Sequence, residues 1–171
     1  MKQLSLRFYG DPVLRETGKP IDVFDDELRE FADAMIETMT RERGIGLAAP
    51  QVGESVRLIV ALEMDDADDD DARPVVLVNP KVVEKSKETW LFEEGCLSIP
   101  GITASVIRPR EVEIEYQDLD GNKQTLRSDK LFGRILHHEI DHINGVLFID
   151  YLSTAQKSII KNKLKQISQR F

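Results

Sequence analysis

The chain is sparing with the residues that most often advertise chemistry: one cysteine, one tryptophan and three histidines in 171 residues. A single cysteine excludes an internal disulfide, so Cys96 is either a small buried hydrophobe or a side chain kept for its thiolate. No apolar run approaches the roughly 18 residues that a membrane-spanning helix needs, which argues against a membrane partner. The opening MKQLSLRFYGDPVLRE lacks both the apolar centre of a signal peptide and the acid-free composition of a transit peptide, so a cytoplasmic location is expected. There is no internal repeat. Length and a hydrophobic content of 41% fit one globular domain, expected over 1–171.

Charge is unevenly placed. The net charge of −8 argues against DNA and against broad binding to nucleic acid. Asp65 to Asp71 form an acidic run within a loop of about 64–73, which lacks the Gly and terminal Glu spacing of an EF-hand and reads as a solvated connection between strands. After Asp150 acids are missing altogether, while Lys157, Lys161, Lys163, Lys165 and Arg170 make the segment of about 153–170 basic. That segment is either a plain solvated helix or one able to touch RNA phosphates, as at a ribosome.

Periodicity supplies the elements. Asp25 can cap a helix in which Leu28, Phe31, Met35 and Met39 recur at helical spacing, with Gly44 as its stop. Val56 to Glu63 and Val75 to Lys85 read as strands, the second interrupted at Asn79-Pro80. Glu111 to Leu119 and Lys123 to Ser128 flank Asp120-Gly121, a hairpin turn signal. A second helix is expected from Ser128 or Asp129 to Asn144, stopped by Gly145, and a third from the capping-box pair Ser153 and Gln156. Strands in the middle with helices at both ends predict an α+β fold, its mixed or antiparallel strands surrounding the second helix.

All three histidines fall on that second helix, in LHHEIDHINGVLFID. His138 and His142 are four apart and separated by about 40° of helical rotation, so two nitrogens can share one metal. Glu139 lies between them where it can reach water on that metal, as in the HExxH pattern. A bland alternative is a surface helix with two half-exposed histidines, but the apolar neighbours oppose it. A catalytic metal wants three protein ligands and an open position. Position 148 is Phe and no Glu follows Glu139, so two extended forms of the motif fail. His137 is turned by about 100° from His138 and reads as a satisfied structural residue. The remaining candidates are Cys96, in EEGCLSIPG, and a carboxylate elsewhere.

Three segments then align. GIGLAAPQ (Gly44 to Gln51), EGCLS (Glu94 to Ser98) and HEIDH (His138 to His142) stand in the order found in peptide deformylases, which the sequence resembles from Gly10 to Ser153. The resemblance implies hydrolysis of the formyl group from N-formylmethionyl nascent peptides, with release of formate. It implies a metal on Cys96, His138 and His142, Fe(II) by family habit, although Zn(II), Ni(II) and Co(II) also fit the ligand types. Glu139 would move the proton, and Gln51 with the backbone N–H of Leu97 would hold the developing oxyanion. Gly46 would offer backbone contacts to the substrate. The methionine side chain would meet Ile45, Leu131, Arg134 and Ile135, with the Arg134 stem packed and its charge at the rim. Thr103 and its neighbours supply no arginine for the substrate backbone. Glu94 is expected to pair with Arg108, and failing that with Arg110. Competing readings are an HExxH metallopeptidase and a catalytically silent, ribosome-associated metal-binding protein.

Overall fold

The computed structural model describes residues 3–170; Met1, Lys2 and Phe171 of the expected 1–171 domain lie outside them. Among the described residues the order is α1 (Asp26–Arg41), β1 (Gly46–Ala48), β2 (Leu58–Glu63), β3 (Arg73–Lys85), β4 (Thr89–Cys96), β5 (Ile99–Pro109), β6 (Val112–Gln117), β7 (Lys123–Ser128), α2 (Leu131–Ile143) and α3 (Thr154–Gln169). Five strands form one antiparallel sheet in the order β1-β2-β3-β6-β7, and β4 pairs only with β5 in a separate hairpin. The α+β expectation holds, with every pairing between these strands antiparallel. Among the described residues no helix is long and apolar enough to cross a membrane.

The core explains why LIVALE in β2 shows no polar alternation. Ile59 and Ala61 face α2, packed with Leu131, Ile135, Leu136, Ile140 and Ile143. Leu58 and Val60 face the other way, onto Leu28, Ala32, Met35 and Met39 of α1. Each fully buried aliphatic of this kind contributes about 1.5–3 kcal/mol of transfer free energy, so α2 is fixed against the sheet before any metal chemistry is considered. A third cluster joins Ile99, Ile102 and Val106 of β5 to Phe148, Leu152 and Leu164, and thus seats α3 behind the hairpin.

Several boundaries differ from the sequence expectation for identifiable reasons. α1 is capped by Asp25, whose carboxylate accepts from the Leu28 N–H, but Arg43 rather than Gly44 takes the left-handed turn that ends it (φ 58°). Gly44 is instead crowded by Leu97: a Cβ there would lie 2.7 Å from its Cδ1. β3 runs unbroken through Asn79-Pro80 because a bulge between Val78 and Lys81 absorbs the proline. Asn79, at φ 51°, bonds through its side chain to both Ile21 backbone groups and to Gln117. α2 starts at Leu131, later than expected. Ser128 Oγ accepts from the Lys130 and Gly133 N–H groups, and the acidic loop caps the helix from outside, Leu131 and Phe132 donating to the Asp65 and Met64 carbonyls. The loop itself is exposed, as expected, and ties its Asp66 and Asp69 carboxylates to its own N–H groups.

Candidate metal centre and active site

Helix α2 carries His138, Glu139 and His142 inward, and the end of β4 brings Cys96 to meet them. The sulfur of Cys96 lies 3.3 Å from His142 Nε2, and one ligand atom from each of Cys96, His138 and His142 lies within 4.8 Å of the others. Metal bonds of about 2.0–2.3 Å place tetrahedral ligand atoms about 3.3–3.7 Å apart, so the Cys96–His142 separation already suits a shared divalent transition metal, and His138 stands close enough to complete a set of one sulfur and two nitrogens. It is Cys96, rather than a carboxylate, that β4 brings beside the two histidines, and no period in the sequence marked that strand.

Orientation comes from the surroundings. Glu94 Oε1 lies 2.8 Å from His138 Nδ1, which leaves the other ring nitrogen free to face the centre. The expected Arg108 partner of Glu94 is present and bidentate, through Nε at 2.6 Å and Nη2 at 2.9 Å. Arg110, the second choice, lies over the Trp90 ring instead. Arg108 also bonds Asp141 at 2.8 Å, and the Tyr151 hydroxyl donates to the same carboxylate oxygen at 2.7 Å. Burial works against the Glu94 carboxylate, but hydrogen bonds from His138 and Arg108 outweigh it and hold the group ionised far below the usual carboxylate range.

Glu139 is buried and one of its carboxylate oxygens, Oε2, has no hydrogen-bond partner. Burial pushes its pKa up to about 7, against the opposing pull of the His138 charge, which suits a group that takes and returns a proton near neutrality. Burial also disfavours charge on both histidines. On His138 the bonds to Cys96 and Glu94 reverse that and raise the pKa, whereas on His142 the positive charges of His138 and Arg108 reinforce it and the ring stays neutral.

Gln51 sits in a short 3-10 turn, Ala49–Val52. Its Oε1 accepts from the Ala48 N–H at 2.8 Å, which turns Nε2 toward Cys96 Sγ at 3.4 Å and Ser98 Oγ at 3.2 Å. A neutral amide donor thus faces the centre. Gly46 belongs to β1, a short strand for which the sequence analysis named no element. The close neighbour that forbids a side chain there is the catalytic candidate itself: a Cβ would lie 2.5 Å from Glu139 Oε1.

A cleft of about 620 Å³ opens onto these groups, lined among others by Ile45, Gly46, Gln51, Cys96, Leu97 and Glu139. Leu131, Arg134 and Ile135 also line it, so every expected substrate contact borders one cavity. Two expectations need correction. The Arg134 charge is not at the rim: the side chain is 2% exposed and its guanidinium turns inward to Glu94 and to backbone carbonyls. His137 is not satisfied either, since its buried Nδ1 has no partner among the described residues and desolvation takes its pKa down to about 4. Sequence reasoning gave no role to Ser98, Asp141, Tyr151 and Phe92; of these Ser98, inside EGCLS, and Asp141, inside HEIDH, carried a signal that could have found them.

Comparison with known proteins places these features in a family. The polypeptide deformylase family model matches residues 4–158. A peptide deformylase from Brucella suis biovar 1 is 45% identical over 161 residues, covering 94% of this chain and 90% of its own. A plant peptide deformylase crystal structure superposes with a TM-score of 0.92 at 39% identity, covering 99% of this chain and 91% of that one. Peptide deformylase from Thermotoga maritima gives 0.82 at 40% identity, covering 90% of this chain and 99% of that one.

Proposed function

The chain belongs to the polypeptide deformylase family, and from that premise we propose how its own residues perform the reaction. It is a metal-dependent hydrolase that removes the N-formyl group from the N-terminal methionine of nascent polypeptides and releases formate.

In our reading Cys96, His138 and His142 hold one divalent ion, Fe(II) in the cell, with Zn(II), Ni(II) or Co(II) able to replace it. When bound, the ion lowers the pKa of water and polarises the formyl carbonyl. Glu139 accepts the proton from the attacking water at its unpartnered carboxylate oxygen and later delivers it to the leaving amine. Gln51 Nε2, already aimed by the Ala48 N–H, donates to the carbonyl oxygen as it becomes negative, and the Leu97 backbone N–H is the second donor. The substrate backbone runs along Gly46, and the methionine side chain enters the space between Ile45, Leu131, Arg134 and Ile135. The observation that carries this assignment is the buried Glu139, with an unpartnered carboxylate oxygen, beside a sulfur and two imidazoles.

Protein purified without oxygen and loaded with Fe(II) is expected to release formate from formyl-methionyl peptide and little acetate from the acetylated one. Glu139→Gln is expected to keep its metal and lose at least about 10²-fold in kcat. No formate despite full metal occupancy would overturn the assignment, as would an active Glu139→Gln.

We further read 1–171 as one cytoplasmic domain whose basic helix α3 contacts ribosomal RNA. Lys157, Lys161 and Lys165 border one surface groove of α3, on a segment without acids. Cosedimentation with ribosomes is expected to weaken with salt and when these three lysines become glutamine; binding unchanged by both would reject the contact.

A further inference from the structure

The cleft has two walls of different construction. One is α2, held to the five-stranded sheet by the apolar cluster around Ile135 and Leu136. The other is the β4–β5 hairpin from Phe92 to Thr103, which shares no strand pairing with that sheet among the described residues. A two-stranded hairpin does not fix its own distance from a neighbouring helix, so that distance depends on the ties between them. At the metal end the ties are Glu94 to His138, Cys96 to His142 and Arg108 to Asp141. At the apolar end they come from one side chain.

We propose that Arg134 is a specificity-determining clamp, which joins α2 to both strands of the hairpin and thereby holds the cleft to a width suited to a narrow, unbranched first side chain. The idea rests on the reading of this cleft as the site for the formylated N-terminus. Arg134 Nη1 donates to the Trp90 carbonyl at 3.3 Å and Nη2 to the Phe92 carbonyl at 3.2 Å, both on β4. Nη2 also reaches the Val106 carbonyl on β5, and it lies 2.9 Å from Glu94 Oε2. A planar fork with several fixed donors can span two strands in this way, whereas the single ammonium of lysine cannot. The guanidinium carbon stands 5.3 Å from the Trp90 ring centre and 5.4 Å from that of Phe92, which places aromatic faces against the cation.

Burial turns this contact into a constraint. The Arg134 side chain is 2% exposed, so if the hairpin swung outward its cation would lose acceptors before water could replace them. Phe92 is itself a lining residue of the cleft, and its ring lies against the same guanidinium and the Trp90 ring. Methionine, unbranched at every carbon, threads such a slot; aromatic and β-branched side chains require the walls to part. Ile45, 44% exposed at the mouth, carries no comparable tie and leaves the entrance open.

The test compares the Fe(II)-loaded parent with Arg134→Met, which keeps an apolar stem, and Arg134→Lys, which keeps the charge without the fork. Substrates are formyl peptides beginning with Met, Leu or Phe. For Arg134→Met the kcat/KM preference for Met over Phe is expected to fall by about tenfold or more, through a higher KM for Met and a lower one for Phe. Arg134→Lys is expected to follow it rather than the parent. A purely structural role would scale all substrates by one factor, and that result would overturn the clamp. A second readout needs no catalysis: hydrogen exchange of the Thr89–Pro109 amides is expected to quicken by at least about tenfold in Arg134→Met while α2 stays protected. Unchanged exchange would overturn the clamp even in an active enzyme, whereas loosened exchange in a protein that releases no formate would break only the functional reading beneath it.

Discussion

Arg108 and Arg127 each face several carboxylates, yet they do different work. Arg127 reaches Glu84, Glu111 and Glu113 at 3.0–3.3 Å across the outer strands, with a side chain 49% exposed. Arg108 binds Glu94 and Asp141 at 2.6–2.8 Å and is 1% exposed. Water screens the first cluster and can replace any lost partner. The second has no water to fall back on, so its geometry passes directly to His138 through Glu94. The same charges orient His138 at one site and merely decorate a strand pair at the other; burial and what lies behind the carboxylate make the difference.

The comparison breaks most sharply at Arg108. Arg108→Met leaves Glu94 and Asp141 buried without their principal cation, a loss of about 3–5 kcal/mol in unfolding free energy. Metal affinity is expected to drop by about 10–100-fold as the His138 ring loses its fixed partner. Denaturant melts alongside metal content check both, and a variant with unaltered stability and metal would show that the pairing supports nothing.

Tyr151 probes the edge of the same cluster. It is half-exposed, stacks under Arg108 at 4.9 Å and donates to Asp141. Desolvation first, and then the Asp141 bond and charge, push its pKa up to about 12. A raised folded-state pKa means that this contribution is complete below the unfolded value of about 10 and is lost as pH rises through about 12. Tyr151→Phe is therefore expected to cost about 1 kcal/mol at neutral pH and to flatten the stability decline between those values. Parallel parent and variant melts with an equal slope there would detach Tyr151 from the cluster.

What the sequence disclosed follows the same division. HEIDH and the helix under it were legible because each rests on short spacing or on a recognisable motif, whereas the Glu94–Arg108 pair was expected only because the family resemblance implied an arginine partner. The β4–β5 hairpin was not legible: TWLFEEGC exposes Leu91 while burying Glu94, so charge and apolarity do not alternate as a half-buried strand should. The start of α2 was misplaced because its cap is the carbonyl pair of Met64 and Asp65, a contact that leaves no trace in residue type. Arg134 was expected to point outward by the usual behaviour of long cations. Its inward course depends on the Trp90, Phe92 and Val106 carbonyls, which only the folded hairpin brings together.

Arg127 gives the smallest effect and the sharpest contrast. It pairs directly across from Glu113 on β6, so a cross-strand reading would rate the contact as favourable. Arg127→Met removes three ion pairs, one more than Arg108→Met removes, and by count should do the greater harm. Burial predicts the opposite: a midpoint shift within the scatter of ordinary surface substitutions, no change in metal content, and whatever shift remains erased at high salt because the charges are screened. A salt-resistant loss comparable to that of Arg108→Met would mean that the number of ion pairs, and not their isolation from water, sets their worth in this protein.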